Sequence, residues 1–154
     1  MIPKVGDKAP SFSLPSSSGG VVSLESLRGK KVVLYFYPKD DTPGCTKEAC
    51  SFRDNSESLD AANIKVLGVS ADNVDSHNQF IDKYGLNFQL LSDTENVVSN
   101  AYGAWGEKTY MGRTTIGIKR MTFLIDEEGV ISEVWPTVRP EEHATEVIEA
   151  AKKQ

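Results

Sequence analysis

The chain is poor in cysteine, with Cys45 and Cys50 alone among 154 residues. That density is far too low for a secreted disulfide scaffold. Histidine is as scarce, at His77 and His143. Structural zinc needs about four ligands. The four candidates are scattered and include no Cys-x-x-Cys pair, so no metal is expected. No apolar run approaches the roughly 18 residues needed to span a bilayer. The opening segment Met1-Ile2-Pro3-Lys4-Val5-Gly6-Asp7 has no apolar signal-peptide core. Basic side chains number 17 against 22 acidic ones, form no cluster and leave a net charge of −5. Nucleic-acid binding runs on phosphate neutralisation, so that class is disfavoured. A cytoplasmic protein, or the mature form of an organellar one, is the default expectation.

What is present suffices for one domain with one core, residues 1–154. Hydrophobic residues make up 39% of the chain, too many for disorder. Short strands are expected at Phe12–Leu14 and Val21–Leu24, then one helical turn over Leu24–Leu27. Lys31–Tyr37 is a continuous β-branched and aromatic run, the mark of a strand buried on both faces. A helix should run from Pro43 to about Ala61, followed by a strand at Ile64–Val69. Val74, His77, Phe80, Ile81 and Tyr84 share a helical face closed by Gly85. A strand at Phe88–Leu91 and a brief helix at 97–102 follow. The Gly- and Thr-rich residues 104–117 read as a loop. Met121–Ile125 and Val130–Trp135 read as a hairpin, and a last helix starts near Pro140. The order β-α-β-α-β-α-β-β-α implies an α/β fold whose mixed sheet is covered by helices on both faces.

Functional groups in such sheets gather at the carboxyl ends of strands. Thr42 and Cys45 fall there, after the strand that Pro38 ends. Thr42 is placed to cap a helix whose first position is Pro43, where a missing N–H costs nothing. Cys45 then lies in the first turn, where unpaired N–H groups and the helix dipole favour an anion. The thiolate is the reactive form of cysteine. Cys50 is five residues on. In an intact helix the two side chains diverge by about 140° and their Cα atoms lie ~8–9 Å apart. A disulfide tolerates about 7 Å, so the pair can bond only if the helix start unwinds. Cys50 could equally be an inert buried hydrophobe, since free cysteine is among the most buried residue types.

The stretch Tyr35-Phe36-Tyr37-Pro38-Lys39-Asp40-Asp41-Thr42-Pro43-Gly44-Cys45-Thr46-Lys47-Glu48-Ala49-Cys50 closely resembles the peroxiredoxin Q group, also called bacterioferritin comigratory proteins. Pro38, Thr42 and Cys45 meet the signature Pro-x-x-x-Thr-x-x-Cys. Arg120-Met121-Thr122-Phe123-Leu124-Ile125-Asp126 resembles the segment that carries the family's active-site arginine. Val5–Phe12 and Trp105-Gly106-Glu107-Lys108 are also similar, so the resemblance spans nearly the whole chain.

The resemblance implies a thioredoxin-like fold and a thiol-dependent peroxidase acting on hydrogen peroxide and organic hydroperoxides. Cys45 would be the peroxidatic cysteine and Cys50 the resolving one, closing an intramolecular disulfide. Thr42 would hydrogen-bond thiolate and peroxide, and Arg120 would stabilise the charge that develops on sulfur and leaving oxygen. Gly44 and Cys45 would offer backbone N–H groups, while Pro38 and Pro43 would shape the pocket. Glu48 would either orient Arg120 or stand exposed on the helix. No cofactor, metal, haem or flavin is implied. The implied reductant is a dithiol such as thioredoxin, and an intramolecular pair suits a monomer.

The remaining chemistry-bearing residues read more plainly. His77 and His143 are expected on solvated helix faces, and Asp40-Asp41 in a solvated turn. Glu141-Glu142 complements the start of the last helix. Beside the peroxidase stand two other classes: a thiol-disulfide oxidoreductase or redox sensor, and a binding or structural domain with inert cysteines.

Overall fold

The computed structural model describes residues 2–110, 112–140 and 142–152. The chain opens with a small antiparallel hairpin, β1 (Ser13–Pro15) and β2 (Val21–Ser23), followed by a 3-10 turn at Leu24–Leu27. The central sheet contains β3 (Lys31–Phe36), β4 (Ile64–Ser70), β5 (Gln89–Ser92), β8 (Met121–Ile125) and β9 (Ile131–Trp135). Its strand order is β5-β4-β3-β8-β9. The β3, β4 and β5 strands are parallel, and β8 and β9 join antiparallel, giving the expected mixed sheet.

Alternation along β3 divides the core. Val32, Leu34 and Phe36 face one side with Val69, Met121, Phe123 and Ile125. That side is closed by the N-terminal hairpin and by α4 (Val97–Ala101) through Val98. Val33, Tyr35 and Tyr37 face the other side. There they meet α1 (Pro43–Asp54), α2 (Ser56–Ala61), α3 (Val74–Tyr84) and α5 (His143–Lys152), through Phe52, Leu59, Phe80 and Val147. Burial on both faces is why β3 is an unbroken apolar run rather than an alternating one. Gly68 lies opposite Tyr35, and a Cβ there would fall 2.8 Å from the Tyr35 ring, so the bare backbone makes room for that ring.

Two elements differ from the sequence expectation. The helix expected over 43–61 is two helices broken at Asn55. The Asn55 side-chain amide donates to the Ser51 carbonyl at 2.8 Å and shares that acceptor with its own backbone N–H at 3.2 Å, a local side-chain bond of the kind the polar run Asp54-Asn55-Ser56 invites at a helix end. The loop expected over 104–117 is instead an antiparallel ribbon, β6 (Trp105–Tyr110) paired with β7 (Arg113–Ile118). It stands outside the central sheet, and Thr114, Thr115 and Ile116 are exposed. A ribbon with little apolar face to bury carries no period-2 hydrophobic signal. Glu141 lies outside the described residues.

Candidate active site

The ladder between β3 and β4 ends with the Tyr37 N–H donating to Val69 O at 3.1 Å. Pro38 then directs the chain off the sheet, and Thr42 takes the extended backbone of an N-cap (φ −91°, ψ 157°). Pro43 fills the first helical position as expected. The Thr42 side chain does not cap the helix. Its hydroxyl donates to Lys39 O at 3.0 Å. A hydroxyl has one proton and two acceptor lone pairs. With the proton committed to Lys39, Thr42 is available as an acceptor and not as a donor to sulfur.

Cys45 is buried in the first turn of α1, and Cys50 is half-buried further along the same continuous helix. Both are free thiols. Arg120, the residue before β8, reaches across to this turn. Its Nη2 donates to Cys45 Sγ at 3.3 Å and its Nη1 donates to Glu48 Oε1 at 2.8 Å. Glu48 is fully buried, which removes the alternative of an exposed helical glutamate. Burial pushes its carboxyl up to about 7 against the opposing pull of Arg120. Burial also works against the Arg120 charge, but Cys45 and Glu48 more than offset it and hold the guanidinium above its ordinary value. Gly44 is part of the same construction. A Cβ at position 44 would lie 2.9 Å from Arg120 Nη2, the nitrogen that meets the sulfur.

Arg120 also forms part of the wall of a cleft of about 700 Å³. Pro38, Ile118 and Pro136 give that cleft an apolar surface, and Lys108, Arg113 and Lys119 line it as well. Pro43 is exposed at the helix start and is not among the cleft residues. The ribbon that replaced the expected loop therefore supplies one side of this cleft.

Three expectations about polar residues are overturned. His77 and His143 are both fully buried. The face His77 shares with Phe80 is the core face of α3, and its ring finds Asp40 Oδ2 at 2.7 Å and Leu91 O at 2.9 Å. His143 is wedged edge-on between Phe52 and Trp135 (centroids 5.7 and 5.2 Å), and burial lowers its pKa. Asp40 is buried rather than solvated. Asp41 remains at the surface, in the left-handed region (φ 59°), where it meets Lys83 Nζ at 2.7 Å and the Tyr84 hydroxyl. A partner 37 residues away cannot be read from the local pattern around either Asp40 or His77.

A parallel-centred sheet with a thiol in the first turn of a helix after its middle strand, gripped by an arginine just ahead of a neighbouring strand, defines a thioredoxin-like thiol protein. The AhpC/TSA family pattern matches residues 5–134. The chain is 56% identical to a putative peroxiredoxin Bcp of Coxiella burnetii, over 94% of this chain and 96% of that one. It is 45% identical to peroxiredoxin Bcp of Escherichia coli, over 97% and 96%. Among solved structures, peroxiredoxin Q of Xanthomonas campestris superposes with a TM-score of 0.87 at 39% identity, covering 93% of this chain and 90% of that one. A cysteine-to-serine variant of Xylella fastidiosa PrxQ gives 0.92 at 36% identity, over 99% and 98%. The chain belongs to the AhpC/TSA family and, within it, to the peroxiredoxin group named Bcp or PrxQ.

Proposed function

We propose that the protein is a thiol peroxidase that reduces hydrogen peroxide and organic hydroperoxides through Cys45. The observation that carries this reading is the fork of Arg120, which touches the Cys45 sulfur with one nitrogen and the buried Glu48 with the other. A guanidinium held in this way stabilises negative charge on sulfur before the reaction and on the leaving oxygen during it. Such a preorganised donor costs no reorganisation as the charge shifts.

The thiolate attacks the terminal oxygen of the hydroperoxide. The S–O bond forms, the O–O bond breaks, and the departing alkoxide or hydroxide takes a proton to leave as alcohol or water. Cys45 becomes a sulfenic acid. Thr42 accepts the hydroperoxide O–H through its free lone pairs, while Gly44 and Cys45 N–H groups, which lack intrahelical acceptors, face the anion. Pro38 helps shape the approach, and Pro43 starts the helix without needing a donor. The cleft gives an organic hydroperoxide an apolar wall, and its cations suit an acidic substituent. The solved structure of the Xanthomonas campestris bacterioferritin comigratory protein is described in terms of alkyl peroxide reduction, in line with this reading.

The cycle closes through Cys50. Its thiol attacks the sulfenic sulfur, water leaves, and an intramolecular disulfide remains. The intact α1 keeps the two Cα atoms about 8–9 Å apart, so its first turns must unwind first. A dithiol donor such as thioredoxin then restores both thiols by exchange. One chain contains all the parts, so a monomer suffices. Two cysteines, too few for a secreted disulfide scaffold, suit a reducing compartment such as the cytoplasm.

Peroxide consumption with thioredoxin and its reductase tests the reading. Turnover in the wild type, abolished in Cys45→Ser, supports it. Wild-type turnover no faster than that of Cys45→Ser refutes it.

A further inference from the structure

Behind the thiol lies a polar cluster that the chemistry above does not use. Asp40, in the loop between β3 and α1, is surrounded by donors. It accepts from the Tyr37 hydroxyl at 2.5 Å and from the Ser76 hydroxyl at 2.8 Å, and His77 Nδ1 lies 2.7 Å from its Oδ2. Its own N–H donates to Asp72 Oδ2 at 2.8 Å, which also accepts from Ser70 at 2.7 Å. The other ring nitrogen of His77, Nε2, faces the Leu91 carbonyl at 2.9 Å.

Those contacts fix a proton. A carbonyl only accepts, so Nε2 carries a hydrogen. A neutral imidazole has one N–H, which would leave Nδ1 as a bare lone pair 2.7 Å from a carboxylate oxygen. Two acceptors at that distance repel. A further proton therefore lies between His77 Nδ1 and Asp40 Oδ2. Asp40, Asp72 and His77 do bring one potential ligand atom each within 4.8 Å of one another. Oδ2 of Asp40 already meets the Ser76 hydroxyl and the shared proton, and Oδ2 of Asp72 already accepts from the Asp40 N–H and the Ser70 hydroxyl, so the cluster is arranged around donors rather than around a cation.

The placement gives the cluster a use. The loop Pro38–Thr42 has left the sheet, and its outward ties run through consecutive aspartates. Asp40 binds Ser76 and His77, and Asp41 binds Lys83 and Tyr84, all four on α3. Cys45 is three residues beyond the end of that loop. We propose that the proton-sharing Asp40–His77 pair is a positioning clamp: it anchors the Cys45 loop to α3 and holds the sulfur against Arg120 for oxidation, while adding nothing to the unwinding of α1 that disulfide formation needs. Asp40 and His77 act through the loop and touch no substrate.

The clamp makes the two steps respond differently, oxidation slowing while closure does not. Loosening it misplaces sulfur in the attack geometry, where an error of about 1 Å can cost up to ~10²-fold. It also weakens the folded sulfenic state from which unwinding starts, so resolution should speed up. A general loss of stability, measured well below the melting transition, has no reason to separate the steps in this way.

Two measurements test this. The first uses reduced wild-type protein with ¹⁵N-labelled histidine, two residues in all. A strongly downfield, exchange-protected proton on His77 is expected, and its absence overturns the shared proton. This arm holds whether or not the protein is a peroxidase. The second arm rests on the peroxidase reading and times Cys45 oxidation and Cys45–Cys50 closure separately. In His77→Leu, oxidation should fall about tenfold or more while closure is unchanged or faster. In Asp40→Asn, whose amide can donate to a neutral imidazole, both rates should stay within about threefold of wild type. Should His77→Leu not fold, Asp40→Asn/His77→Leu removes the stranded charge and carries the same comparison. An oxidation rate unchanged in the folded variant, or both steps slowed equally, overturns the positioning role. Failure of wild type itself to react with peroxide would instead refute the peroxidase reading.

Discussion

Gly44→Ala separates stability from reactivity at a single atom. The new Cβ would lie 2.9 Å from Arg120 Nη2, which sits 3.3 Å from Cys45 Sγ. The end of an arginine can give way, so the methyl group fits once Nη2 retreats by about 0.5 Å, toward an ordinary van der Waals separation. That retreat weakens the contact with sulfur. A hydrogen bond to a charged group contributes about 1.5–3 kcal/mol, and losing half of it costs ~1 kcal/mol, or roughly fivefold in rate. The backbone moves the other way. Position 44 is helical and has no positive φ, so alanine should stabilise α1 by up to about 1 kcal/mol. The expected variant thus unfolds at equal or higher urea concentration but reacts about fivefold or more slowly with hydrogen peroxide. Stopped-flow fluorescence and equilibrium unfolding read the two effects. A variant at least as stable as wild type and equally fast would refute the claim that guanidinium contact at sulfur sets the rate.

Other perturbations bear on the same pocket. Arg120→Met should slow peroxide reduction by about 10²–10³, in the range seen when a preorganised donor is removed. Arg120→Lys should rescue little, because an ammonium lacks the planar fork that meets Cys45 and Glu48 together. Burial raises the Glu48 carboxyl to about 7 from 4.5, so the folded chain holds that proton to higher pH than the unfolded one. The stability from protonated Glu48 is therefore complete below about pH 4.5 and lost as pH rises through about 7, a swing of ~3 kcal/mol. Urea midpoints at pH 5 and 8 should differ less in Glu48→Gln than in wild type. Phe52, fully buried and stacked on Tyr35 at 4.9 Å, should cost about 3–5 kcal/mol on truncation to alanine, read by urea unfolding.

The parts of this molecule that are local in sequence were legible there. The β3 run, the Pro38 stop, the helix start at Pro43 and the 3.6-residue stripe of α3 all rest on neighbouring residues, and each stands as expected, although the Thr42 hydroxyl turns to Lys39 O instead of capping the helix. Arg120 was reached only through a family resemblance, because nothing near it says that it touches a residue 75 positions away. The β6–β7 ribbon was invisible for another reason. Its strands are largely polar and exposed, so pairing without burial leaves no alternating pattern. Asp40 and His77 were misread because a charged turn residue and a lone helical histidine look solvated until each becomes the other's partner in the core. The break at Asn55 was missed although its signal, three consecutive polar residues that compete for backbone, was present.

The central claim is that Cys45 reacts first and Cys50 resolves it within one chain. Its most direct measurement mixes reduced protein with one equivalent of hydrogen peroxide and follows free thiols and intact mass, beside Cys45→Ser and Cys50→Ser. Wild type should lose both thiols and about 2 Da, Cys50→Ser should gain about 16 Da or more as a trapped sulfenic or higher acid, and Cys45→Ser should not change. Equally slow reaction of wild type and Cys45→Ser, or wild-type disulfides found only between chains, would contradict it.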